Sequence, residues 1–338
     1  MFFALRTREK GIAVKKPLRL TQQGIVFAIF VVLFGVFSIF LRGFLSTSNM
    51  LNLLQNVAVL GILSLAMAVV VIGRGIDLSL IAVLAVPSGL VLQLVQDGDT
   101  FWVALLQASL LTLVFGLLNG WLIAYAEVPS LYATLASGLF LAGLGQTALF
   151  KLDVVQWSPN LPDGFQFLGQ GNVLGVPMPI IVFAVMCCVV AFFLRRTKPG
   201  MFIYALGDNP FAARTSGIPT RPLVVGQYVI AAAIGLIAGL VLVASVNSGP
   251  TRIYNSTLIY DVILVVVLGG IGLAGGRGGV LSVVIGTLLI GTMLNAMTIM
   301  DMSYSAQNLV KGIVLLIAVI ADSFLNPRNE ETAQQGDI

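Results

Sequence analysis

The sequence predicts an all-α integral membrane protein of about ten transmembrane helices with one short helix lying on the cytoplasmic side. Composition is the first reason. Apolar residues make up 58% of the 338 residues and charged ones only 9%, and the mean hydropathy is +1.01. A soluble domain carries about 25% charged residues, so this chain cannot cover itself with a wettable surface. The second reason is spacing: the length suits about ten runs of roughly 20 apolar residues with short connections and no sizeable soluble domain. The third is the distribution of basic residues, which cluster in alternate connections.

In chain order, residues 1–23 form a basic tail with Arg6, Arg8, Lys10, Lys15, Lys16 and Arg19. It lacks the apolar core and small-residue cleavage site of a signal peptide. Spans are expected at about 24–42, 51–73, 77–96, 101–126 and 131–150, with tight turns at Gly73-Arg74-Gly75 and Asp97-Gly98-Asp99. A polar connection at 151–173, rich in Gly and Pro, leads to spans at about 174–195 and 222–246. The next, about 258–271, is short and reads as broken; two more follow at about 279–299 and 305–324. Residues 24–324 thus form the membrane domain, and 325–338 a polar cytoplasmic tail.

Charge tests this count. With the N-terminus inside, the cytoplasmic side holds the six basic residues of the tail. Arg74, Arg195, Arg196, Lys198, Arg214, Arg221, Arg277 and Arg328 join them, and only Arg42, Lys151 and Arg252 lie outside. That bias fits both termini in the cytoplasm, and gaining or losing one span would spoil it.

Between the spans at 174–195 and 222–246 lies Tyr204–Arg221, YALGDNPFAARTSGIPTR, on the cytoplasmic side. Asp208-Asn209-Pro210 is a helix start, with a capping side chain and then Pro near the first turn. Phe211–Ser216 is helix-compatible, and Gly217 supplies the stop. Two turns held along the membrane make a docking surface, although such a segment is more often an ordinary loop.

Other features narrow the chemistry. There is no His, and the two Cys are the vicinal Cys187-Cys188 within a span. A disulfide framework or His/Cys metal site is excluded, and no nucleophile–base set can be assembled. Gly270-Ile-Gly272-Leu-Ala-Gly275 matches GxGxxG in form but follows a membrane span without a βαβ context, and no GxxxxGK[ST] occurs. Asn255-Ser256-Thr257 fits a glycosylation acceptor without a secretory context. Many of the 36 Gly, such as Gly235-xxx-Gly239 and Gly138 to Gly145, suit close helix approach in lipid.

Intramembrane charges are few, and each should be paired, interfacial or facing a cavity. Asp77 reads first as a cap for freed amides at the start of its span, with Ser79 nearby. Asp261 and Lys311 are plausible mutual partners, while Asp301 lies between spans. Asn56, Asn119, Thr134, Gln146, Asn295, Gln307 and Asn308 add hydrogen-bonding groups within spans. With Asp77, Asp261 and Lys311, all of these except Gln146 are candidates for a solute path. Scattered neutral groups suit a small polyhydroxy solute better than an ion, which asks for oxygen or carboxylate rings.

Five strings together resemble the permease subunits of bacterial ABC sugar importers of the ribose/arabinose/xylose type. They are NMLNLLQNVAVLGILSLAMAVVVIGRGIDLS (49–79), the NG and PSLYATLASG pair (119–138), GMFIYALGDNPFAARTSGI (200–218), VVVLGGIGLAGGRGG (265–279) and the NLVKGIVLLIAVIAD run (308–322). The likeness covers most of 49–322 in the family's order. Two positions depart from it: Arg74-Gly75 replaces a tandem Gly, and Ile259 stands where the family commonly has an acidic residue.

The resemblance implies a pair of permeases, identical or paralogous, two cytoplasmic ATP-binding cassette subunits and a periplasmic substrate-binding protein, in the bacterial inner membrane. The segment 204–218 would then be a coupling helix entering the ATPase, with Gly207, Asp208, Asn209, Ala212, Arg214, Ser216 and Gly217 as its coupling residues. Asn209, Arg214, Ser216 and Gly217 match the family motif. ATP-Mg would be bound by the partner ATPase; this chain would hold no cofactor or metal, catalyse nothing and bind no nucleic acid, its other contact being membrane lipid. Alternating access would move a sugar or sugar-like solute. The rival from another class is an ion-coupled secondary carrier, which would show buried carboxylates and internal repeats at the midplane.

Overall fold

The computed structural model describes residues 22–150, 155–157, 161–250 and 253–325. All but Gln22 and Gln23 of the expected N-terminal tail and all but the first residue of the C-terminal one lie outside these, as do Lys151 and Arg252. The described chain is predominantly helical. In order come α1 (Gln22–Phe40), α2 (Thr47–Ile72), α3 (Leu80–Gln96), α4 (Phe101–Ala124) and α5 (Ser130–Leu144), the last extended by a π-helical turn at Gly145–Leu149. Then follow β1 (Val155–Trp157), α6 (Asp163–Gln170), β2 (Asn172–Val173), β3 (Val176–Pro177), α7 (Met178–Arg196), α8 (Lys198–Asp208) and α9 (Pro210–Thr215). The chain continues with α10 (Thr220–Val246), β4 (Ser248–Pro250), α11 (Leu258–Leu268), α12 (Val280–Ile299) and α13 (Tyr304–Leu325).

Six helices, α1, α2, α4, α7, α10 and α12, are long and apolar enough to cross a membrane. The expected count of about ten is met only in part, since α3 and α11 are shorter apolar helices. Helix α11 has 11 residues, a rise of about 16 Å, or roughly half a hydrocarbon core of about 30 Å. Its predicted end at 271 falls beyond Leu268, in a Gly-rich loop that runs to α12.

Helix ends gather in two sets. At one end, Gly276 N–H donates to Ile72 O at 2.8 Å, Gln23 Nε2 to Ser282 Oγ at 2.7 Å and Arg221 pairs with Glu127 at 2.9 Å. At the other, β1 pairs antiparallel with β4 and Tyr304 OH meets Thr257 Oγ1 at 3.1 Å. Arg74, Arg195, Arg196, Lys198, Arg214, Arg221 and Arg277 all fall in the first set, Arg42 in the second.

The core sits where α2, α3, α10, α11 and α12 meet, and α2 is buried from Leu60 to Ile72. Small residues set the spacing. A Cβ on Gly116 or Gly120 of α4 would lie 2.9 Å from Val229 Cα or 2.5 Å from Val225 Cα of α10. This Gly-xxx-Gly pair lets two backbones touch, which dispersion rewards in lipid, where the hydrophobic effect is absent. Outer helices such as α1 and α13 turn Val, Ile, Leu and Phe outward, as lipid requires.

Candidate functional site

The polar segment after α7 folds as two helices rather than one. The segment 204–218, expected to act as one coupling helix, is divided: Gly207 and Asp208 close α8, and α9 starts after Asn209, at the expected helix start. Asn209 is extended, at φ −150° and ψ 103°, because the ring of Pro210 disfavours the helical region for the residue before it. Its Oδ1 accepts from Ala212 N–H at 3.0 Å, capping α9. At the far end Ile218 N–H reaches Ala213 O at 3.1 Å and Gly217 takes φ +80°, a left-handed stop natural to glycine. Six residues therefore hold their shape with little tertiary support.

Only Ala213 of α9 is buried; Phe211, Ala212, Arg214 and Thr215 are exposed, as are Ser216 and Gly217. An apolar ring and a guanidinium thus project together from the arginine-rich end. Helix α8 carries this knob and is anchored. Ile203 and Leu206 are buried, and Tyr204 OH donates to Gly278 O at 3.0 Å. Gly207 lies against Ile72 O and Gly276 N so closely that a Cβ would overlap both. Arg74, itself at φ +70°, donates from Nε to Ala274 O at 2.8 Å. The α8–α9 pair, the α2–α3 turn and the loop 269–279 are therefore in one contiguous contact.

The solute-path candidates separate into groups. Asp77, Asn119 and Thr134 come together, buried, where α3, α4 and α5 meet. Asp77 Oδ1 accepts from Ser79 N–H at 2.9 Å and Ser79 Oγ at 2.5 Å. Asn119 Nδ2 donates to Ser79 Oγ at 2.9 Å, and Asn119 Oδ1 accepts from Ser137 Oγ at 2.5 Å. Thr134 Oγ1 accepts from Leu78 N–H at 3.0 Å and donates to Ser130 O at 2.7 Å. The network satisfies itself and locks three helix ends.

Replacing Asn119 by Ala removes one of two hydrogen-bond partners from each of the buried Ser79 and Ser137 hydroxyls, an expected loss of about 1–3 kcal/mol. A lower thermal midpoint of the purified chain in detergent would register it. Ser79 and Ser137 were not among the sequence candidates. The signal for Ser137 was available: Ser130, Thr134 and Ser137 recur at helical spacing on one face of α5.

A second group ties α11 to α13. Lys311 Nζ lies 3.0 Å from Asp261 Oδ2, both side chains 8% exposed, and 3.4 Å from Thr257 Oγ1. Thr257 Oγ1 donates to Asn308 Oδ1 at 3.1 Å, while Gln307 Nε2 closes a local turn on Met302 O at 3.0 Å. Asn295 forms a reciprocal amide pair with Asn49, 3.0 Å in each direction, joining α12 to α2. Asn56 stands apart, exposed on α2. Among the described residues no group of three or more His, Cys, Asp or Glu could hold a metal ion.

Several known proteins resemble this chain over most of its length. The ribose import permease protein of Bacillus subtilis is 35% identical over 288 residues, 85% of this chain and 88% of that one. Its counterpart from Haemophilus influenzae is 31% identical, covering 89% and 93%. The xylose transport system permease protein of Haemophilus influenzae is 30% identical, covering 86% and 93%. No solved structure matches. The family described as "Branched-chain amino acid transport system / permease component" matches residues 49–319, and the chain belongs to it.

Proposed function

We propose that this chain is the membrane-spanning permease subunit of an ATP-driven importer for a sugar or sugar-like solute, working by alternating access. Helix α9 is the knob that a partner ATP-binding cassette subunit grips, with Asn209, Ala212, Arg214, Ser216 and Gly217 forming it and Gly207 and Asp208 joining it to the bundle. The arginine-rich end, which holds the start of α1, faces the cytoplasm, as the positive-inside rule asks. A second permease copy or paralogue and a periplasmic binding protein complete the machine. ATP-Mg belongs to the ATPase, and this chain contributes no catalytic group.

One observation carries the reading: the exposed α9 is continuous through Gly207 with Ile72 at the end of α2 and with Gly276 in the loop before α12. Force applied at α9 reaches the turn that sets α2 against α3 and the loop that sets α11 against α12. The sugar class rests on the ribose and xylose permeases among the relatives.

Arg214→Glu reverses the knob's charge without touching the core. In vesicles holding the partner ATPase and binding protein, it is expected to cut ATP-driven uptake more than about tenfold, since each 1.4 kcal/mol of lost docking is a factor of ten. Binding-protein-stimulated ATP hydrolysis should fall with it while membrane insertion persists. Undiminished uptake refutes the assignment, and uptake by the purified chain alone, driven by an ion gradient, replaces it with a secondary carrier.

A further inference from the structure

Helix α2 exposes only polar residues: Thr47, Ser48, Asn52 and Asn56. The lipid-facing helices behave in the opposite way. Every exposed residue of α1 between Gln23 and Phe40 is apolar, and α13 exposes Leu309, Ile313, Leu316, Ile317, Val319 and Ile320. The side chains of Asn52 and Asn56 make no hydrogen bond among the described residues, whereas that of Asn49, on the same face, is engaged with Asn295. They lie five and nine residues beyond Thr47, about 8 and 14 Å along the helix. The second depth is near the middle of a hydrocarbon core of about 30 Å. An amide facing acyl chains at that depth has no partner and costs several kcal/mol. This face is therefore wet.

Building on the importer reading, we infer that the Asn52–Asn56 face of α2 is the solute-contacting wall of the outer half of the path, and that its ligand is a neutral polyhydroxy molecule. Each amide offers a donor pair and an acceptor without charge, the complement of a hydroxyl, which is itself both donor and acceptor. Four residues apart, the two amides are neighbours on one helix face, about 6 Å along the axis. That spacing reaches two hydroxyls of one sugar ring. No charged side chain shares the exposed face of α2, so neither a cation nor a carboxylate finds its counter-charge there. The wet stretch also ends: from Leu60 to Ile72 the helix is buried throughout, so the wall closes below Asn56. The other buried candidates are hydrogen-bonded within the protein, Asp77, Asn119 and Thr134 through Ser79, Ser137 and nearby backbone and Asp261 through Lys311, and serve as struts.

The test is accessibility. In a chain with Cys187 and Cys188 replaced by Ala, assembled with its ATPase in lipid vesicles, N52C and N56C are treated with a charged, water-soluble methanethiosulfonate. V114C serves as the control, because Val114 is 56% exposed on the apolar face of α4. Modification of N52C and N56C at least about tenfold faster than V114C is expected, with N52L/N56L cutting uptake of radiolabelled aldoses by a similar factor. Rates equal to V114C overturn the inference. So does an oxidative cross-link between two N56C copies in place of modification, which would make this face a subunit contact. Wild-type vesicles that take up no aldose or polyol with ATP and binding protein sink the importer reading itself. Wild-type uptake with unreactive cysteines sinks only the α2 wall.

Discussion

Lys311→Met is expected to lower the stability of the purified chain by about 3–5 kcal/mol, because it leaves Asp261 buried without a counter-charge. The pair sits 3.0 Å apart with both side chains 8% exposed, so water cannot replace the lost partner. Asp261 Oδ1 already lacks a hydrogen-bond partner, which leaves the carboxylate dependent on Lys311 through its other oxygen. Asp261→Asn should cost less than Lys311→Met, since a neutral amide still accepts from the ammonium. The double change Asp261→Leu with Lys311→Met should recover most of the loss, because an apolar pair fits a lipid-immersed bundle. The readout is the thermal midpoint in detergent, and a Lys311→Met chain melting like the wild type would show that the pair is solvated.

Gly207→Val should fold and insert yet transport poorly. A Cβ at this position overlaps two backbone atoms, Ile72 O and Gly276 N, and backbone cannot rotate away as a side chain can. The overlap forces α8 off the α2–α3 turn and the loop 269–279, at a cost of about 1–3 kcal/mol for overpacking. Helix α9, capped by its own Asn209 and Gly217, stays intact. The expected pattern is therefore retained copurification with the ATPase but uptake reduced more than about tenfold. Gly207→Ala should show most of the effect, because the first carbon already collides. Normal uptake by both variants would mean that motion reaches the bundle by another route.

The helical class and the arginine bias were readable because lipid is an unforgiving solvent. Each run of apolar residues must be helical and long, and each cluster of Arg and Lys marks an end. The cap at Asn209-Pro210 and the stop at Gly217 were readable for a different reason: such signals act over three or four consecutive residues. Asp261 and Lys311 were legible as partners through scarcity alone, with few other charges in the spans to choose from.

Other contacts between distant residues were not legible. Helix α6 was hidden in a polar connection, because its two buried positions, Phe165 and Gly169, acquire meaning only against the end of α10. The pairing of β1 with β4 joins Trp157 to Ser248 across five intervening helices. Asp77 read as a local cap, and its carboxylate does hold Ser79 N–H; its wider role depends on Asn119 and Ser137 arriving from α4 and α5.

The order of residues alone dictates that this chain lives in a bilayer, which end carries positive charge, and where a short capped helix interrupts the spans, since those follow from hydration and from hydrogen bonds closed within a few residues. Three-dimensional packing assigns the rest: that Gly207 touches Ile72 and Gly276, that the polar candidates divide into hydrogen-bonded sets and the exposed Asn56, and that α11 reaches only halfway. Which face of a helix meets a neighbour depends on glycine-sized gaps between segments tens or hundreds of residues apart, and no local pattern encodes that meeting.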